Sequence, residues 1–225
     1  MIFAQITTSL DTAEVVTGPD SVSILDLLFQ GGFMMVPILI LSIGAVYIFV
    51  ERVLTISKAE KTPDGFMSKI RDMVEKGDIN GAKILCKEYN SPTARMIEKG
   101  LSRIGSPLKN IEVSIENVGK IELFKLEKNL SLMATISGSA PMLGFLGTVI
   151  GMIDAFIAIA QEEGSVSPKL LSEGIYTAMV TTAAGLFVGI LAYLGYNYLV
   201  AKVQKVVHKM EYNSVDFIDL LQEPR

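Results

Sequence analysis

The sequence predicts an all-α, polytopic membrane protein with three transmembrane helices, two of them extended into a cytoplasmic helical domain. Three observations carry this. Half of the 225 residues are hydrophobic, and the mean hydropathy is +0.43. Three stretches, Leu27–Val50, Asn129–Ile153 and Gly174–Ala201, contain no charged residue, and each is long enough to cross roughly 30 Å of hydrocarbon as a helix. A buried helix of a soluble protein would carry charges on an outer face every turn or two, and these do not. Finally, basic and acidic residues alternate between the two ends of the spans, as expected for a chain oriented by its positive flanks.

Taken in order, residues 1–32 form an outer tail with acids at Asp11, Glu14, Asp20 and Asp26 and no Lys or Arg before Asp26. Without a basic start or an apolar core, it lacks the form of a cleavable signal peptide. Ser21–Phe29 places Ile24, Leu25, Leu28 and Phe29 on one helical face and reads as an interfacial helix, turned inward by Gly31-Gly32. The first span occupies 33–50, with Pro37 in its first turns, where a missing N–H costs least; Glu51 and Arg52 close it.

Residues 51–129 form the one large polar segment; between 52 and 128 it holds 15 Lys+Arg against 11 Asp+Glu. Breaks at Pro63-Asp64-Gly65, Gly77-Asp78, Asn90-Ser91-Pro92 and Gly105-Ser106-Pro107 cut it into short amphipathic helices. Asp78 and Ser91 are the expected N-caps. After Pro107 no strong breaker follows, so one continuous helix is expected from about Leu108 to about Ala160, kinked at Pro141. The second span is 130–160, the outer loop 161–173, the third span 174–201. Residues 202–225 continue as a helix toward Leu221. The lysines Lys202, Lys205 and Lys209 are its positive flank, suited to anionic lipid contact. The basic ends put the N-terminus outside and the polar segment and C-terminus inside.

The two later spans share a feature that an anchor does not need. Steps of four and three residues from Ser137 reach Pro141, Gly144, Thr148, Gly151, Ala155 and Ala158; from Ala178 they reach Thr182, Gly185, Gly189 and Ala192. Such seams of small residues, with Gly147-xxx-Gly151 and Gly185-xxx-Gly189 within them, let helix backbones approach closely in lipid. Each seam carries one threonine near its middle. Thr177 and Thr181 lie beside the second. Asp154 is the one ionisable residue inside a span; such a residue faces water, a partner or the bundle interior. The motifs of zinc sites, phosphate loops and nucleophile elbows are absent, so neither metal, cofactor, nucleic-acid binding nor catalysis is expected. Cys86 reads as a small packed residue.

Ala140-Pro-Met-Leu-Gly-Phe-Leu-Gly-Thr-Val-Ile-Gly-Met152, Leu171-x-x-Gly-Ile-x-x-Ala-x-x-x-Thr-x-x-Gly-Leu186 and Tyr196-Asn197 closely resemble the ExbB/TolQ/MotA family of proton-channel subunits, the ExbB branch most. The resemblance implies a homopentamer in the bacterial inner membrane, around a central pore holding the single-span helices of two ExbD-like partners. It also implies a TonB-like protein driven by proton flow. The family's pore threonines fall on Thr148 and Thr182. Several members carry a glutamate where this chain has Thr177, so the partner's aspartate would be the essential intramembrane proton site, facing hydroxyls. TolQ-like envelope maintenance, a flagellar or gliding motor, and a non-conducting membrane scaffold are the competing readings.

Overall fold

A computed structural model describes residues 31–61, 63, 65–161 and 168–222. The expected interfacial helix at 21–29, the whole of the tail before it and the centre of the loop at 161–173 lie outside the described residues. Everything regular within them is helical: α1 (Met35–Glu60), α2 (Phe66–Glu75), α3 (Ile79–Tyr89), α4 (Pro92–Leu101), α5 (Leu108–Glu127), α6 (Leu130–Gln161) and α7 (Pro168–Gln222).

Each punctuation mark in the polar segment has a local cause. Gly65, at φ +85°, sits where a side chain would be strained, and α2 starts immediately after it. Asp78 caps α3 by accepting the Gly81 N–H at 2.8 Å, and Ser91 caps α4 by accepting that of Ala94 at 3.2 Å. Pro92 then opens α4, where its missing N–H leaves nothing unpaired.

Two boundaries depart from the sequence reading. Glu51 and Arg52 end the apolar run but not the helix, since α1 continues to Glu60. The expected single helix from Leu108 to Ala160 is two helices, interrupted at Lys128 and Asn129, with Asn129 at φ +64°. Asparagine tolerates that left-handed conformation better than most residues. The buried Arg52 donates Nη1 to the Lys125 carbonyl at 3.1 Å, supplying a partner for one of the oxygens left over where α5 ends. Pro141, by contrast, lies within the uninterrupted α6.

α7 is the backbone of the molecule. At about 1.5 Å per residue its 55 residues extend roughly 80 Å. Its first half packs on α6 and α1, and its second half is wrapped by α2, α4 and α5. In that second half the core is ordinary: Ile70, Ile97, Leu101, Ile115, Val206 and Phe217 are fully buried or nearly so. In the first half the helices are apolar on every side. Only 22%, 17% and 33% of their most apolar windows are buried, leaving Met142, Phe145, Phe156, Phe187 and Leu194 among many large side chains exposed. A surface of that kind needs hydrocarbon or other chains against it, so this is a membrane protein with three long apolar helices.

Candidate functional site: the interlocked seams of α6 and α7

The small seams face each other within one chain, antiparallel and almost atom on atom. A Cβ on Gly185 would lie 2.6 Å from the Ala140 carbonyl oxygen and 2.9 Å from Gly144 Cα. One on Gly144 would lie 2.9 Å from the Thr181 carbonyl oxygen. One on Gly189 would strike the Pro141 ring at 2.5 Å, and one on Gly147 would strike Thr181 Oγ1 at the same distance. Gly151 meets Ala178 and the Gly174 carbonyl further out, while Gly174 meets Ala155. Pro141, Gly144, Gly147, Gly151, Gly185 and Gly189 are therefore one surface, on which backbone touches backbone.

The threonines divide on this surface. Thr181 is 1% exposed, sealed against Gly147, with its hydroxyl donating to the Ala178 carbonyl at 2.8 Å. Within the chain it is a packing residue. Thr182 is half-buried and donates across the helix pair to the Gly144 carbonyl at 2.9 Å. Thr148, also half-buried, donates to the Phe145 carbonyl of its own helix at 2.5 Å. Gly144 is one helical turn from Thr148 on α6, about 6 Å along the axis, so the two hydroxyls belong to one stretch of the helix pair. Thr177 is half-buried further toward the start of α7, its Cγ2 3.7 Å from where a Cβ on Gly32 would be. Asp154 is exposed, six residues beyond Thr148 toward the end of α6.

Sequence reasoning missed a second polar constellation, at the other end of the spans. Glu122 is almost fully buried, yet Arg95 reaches its Oε2 at 2.5 Å and Lys125 its Oε1 at 2.8 Å. Burial works against its charge, but Arg95 and Lys125 outweigh it and hold the carboxyl below its ordinary range. Buried Arg52 ion-pairs with Glu51 beside it. The i, i+3 spacing of Glu122 and Lys125 was a visible hint; the Arg95 contact spans 27 residues and was not. Cys86 is buried as expected, and burial together with nearby Glu98 pushes its thiol up to about 12. Among the described residues no cluster of His, Cys, Asp and Glu could hold a metal ion.

Three long apolar helices, two of them locked by glycine seams that carry a threonine each, define a multi-span membrane protein. Residues 88–212 match the MotA/TolQ/ExbB proton channel family, and with more than half of the chain covered, the chain belongs to that family. It is 29% identical over 194 residues to the putative biopolymer transport protein ExbB homolog of Methanothermobacter thermautotrophicus, covering 84% of this chain and 67% of that one. It is 37% identical over 110 residues to the biopolymer transport protein ExbB of Aquifex aeolicus, covering 48% and 70%. With the ExbB of Neisseria meningitidis it shares 27% over 175 residues, covering 72% and 78%.

Proposed function

We propose that this chain is the ExbB-type subunit of a proton-driven motor. In this reading five copies surround two single-span, ExbD-like helices in the inner membrane, and proton passage energises a TonB-like protein for transport across the outer membrane. The tail before α1 is periplasmic; the polar segment and the end of α7 are cytoplasmic. The chain itself supplies no catalytic group.

The observation that carries the reading is the pair of half-open threonines on the tightly packed glycine seam. Thr181 shows what a purely structural threonine does here: it disappears into the contact. Thr148 and Thr182 keep part of their surface, in the stretch that bears the family motif, and Thr177 continues the polar track toward the outer end. Because both hydroxyl protons are given to backbone carbonyls, their oxygens offer lone pairs to whatever lies beyond. They can accept from a protonated carboxylic acid or from ordered water, and hydrogen bonding to the neutral acid favours that form. Releasing the proton then requires the hydroxyls to rotate outward and donate. Asp154, exposed toward the end of α6, belongs to the outer mouth.

One proton releases about 2.3 kcal/mol per 100 mV, so work on a distant protein requires several protons and a bistable assembly. A five-fold ring around a two-fold partner provides such bistability, since no orientation satisfies all contacts together.

Thr148→Val with Thr182→Val keeps the shape and removes the hydroxyls. Interhelical bonds in membranes are worth only about 0.6 kcal/mol on average, so the double variant should accumulate and retain its partner while energy-dependent uptake is abolished. Uptake at the parental level would favour the non-conducting scaffold, a reading for which the backbone acceptors of both hydroxyls give a specific basis.

A further inference from the structure

The cleft between α1, the start of α4 and the end of α5 holds a cavity of about 240 Å³, lined by Thr55, Lys58, Asn90, Arg95, Glu122 and Lys125 among others. We propose that this cleft binds a phosphate group.

The charge of the lining sets the class of ligand. Three cations, Lys58, Arg95 and Lys125, face one carboxylate, Glu122, an excess of two positive charges. Both Glu122 oxygens are already engaged, by Arg95 and by Lys125. Arg95 spends Nη1 on the Asn90 carbonyl at 2.9 Å and on Asn90 Oδ1 at 2.7 Å, yet its Nε is buried with no hydrogen-bond partner. A buried guanidinium N–H left unpaired is costly. Lys58 is exposed and forms no ion pair among the described residues. The cleft therefore has unspent donors and excess positive charge. An anion with several oxygens supplies both deficits, and arginine with lysine is the donor set that phosphate selects. The start of the ten-residue α4 adds the positive end of a helix.

The lysine stripe at the start of the cytoplasmic end of α7 is a poorer candidate. Lys205 and Lys202 both bind Glu60, at 2.6 and 3.5 Å, so much of that charge is already neutralised.

Two sources could deliver the phosphate. Counting about 1.5 Å per residue from Val50 along α1, Thr55 lies roughly 7 Å and Lys58 roughly 12 Å past the apolar run. A headgroup layer is roughly 5–8 Å deep, so the phosphate of an anionic lipid meets the mouth of the cleft; free phosphate reaches it from the aqueous side.

The full chain is reconstituted in nanodiscs of equal parts phosphatidylcholine and phosphatidylglycerol, and lipid retained on release is counted by native mass spectrometry. In a second arm, phosphorus NMR follows the line width of inorganic phosphate over the detergent-solubilised chain. Selective retention of phosphatidylglycerol, falling roughly fivefold per lysine removed in Lys58→Gln and in Lys58→Gln/Lys125→Gln, assigns the site to a headgroup. Broadening of the inorganic phosphate line that those variants abolish, without lipid selectivity, assigns it to free phosphate. Lys58 is exposed, so Lys58→Gln alone reads the site even where the double variant disturbs Glu122. If neither variant differs from the parent in either arm, or if the losses follow Lys202→Gln/Lys205→Gln instead, the assignment is wrong.

Discussion

α7 passes through two solvents and is held in each by opposite means. Between Gly174 and Gly189 it meets α6 through glycines and small side chains, backbone against backbone at Gly144 and Gly185; a Cβ at Gly185 would have nowhere to go. Between Val203 and Leu220 it is held by large side chains, with Phe217 fully buried against the small space left by Gly100, where a Cβ would meet the ring at 2.6 Å. In hydrocarbon, burying a leucine against a leucine gains little over leaving it in lipid, so close approach of backbones is the available source of attraction. In water, removing a phenylalanine from solvent is itself the driving force. The same helix thus shows which term dominates in each medium.

The sharpest way to break this contrast is Gly185→Leu. Its neighbours are backbone atoms, which cannot rotate aside, so the cost should exceed the roughly 1–3 kcal/mol of ordinary overpacking. Folded protein should disappear from the membrane fraction, as followed by size-exclusion of the solubilised chain. Near-normal recovery would mean that the seam is not what joins α6 to α7. The aqueous half is tested by Phe217→Ala, which should cost about 3–5 kcal/mol and lower the thermal midpoint while the protein still inserts. A loss of insertion equal to that of Gly185→Leu would erase the distinction between the halves.

The smallest effect sharpens the polar junction. A depressed Glu122 pKa stabilises the fold above the unfolded carboxyl's value, about 4.3, and that stability is lost as pH falls through the lower folded value. Glu122→Gln should cost about 1–3 kcal/mol at neutral pH. It should also flatten the fall in thermal midpoint below pH 4. An unchanged acid profile would show that Arg95 and Lys125 do not stabilise the charge.

The sequence made the helices legible wherever their ends are chemical. Gly65, Asp78, Ser91-Pro92 and Pro107 stop or start helices by their own backbone or capping properties, and the structure puts boundaries at each. The seams were legible for a related reason: glycine at helical spacing has few uses in a membrane other than close contact. What one chain could not reveal was which surface the seams meet, and the structure turns them on each other. The break at Asn129 was obscured because asparagine permits a left-handed turn without demanding it; Arg52, 73 residues from the carbonyl it reaches, helps to hold it. The Arg95–Glu122 pair was hidden for the same reason, since it exists only once α4 folds back along α5.

That break has a mechanical consequence. α7 runs unjointed from the start of the apolar region to the last turn of the polar one, so a twist applied at one end would be delivered as torque at the other. The companion rod changes direction at Lys128–Asn129, where Arg52 pins the end of α5, so load passes along it through that pinned corner and not along one axis.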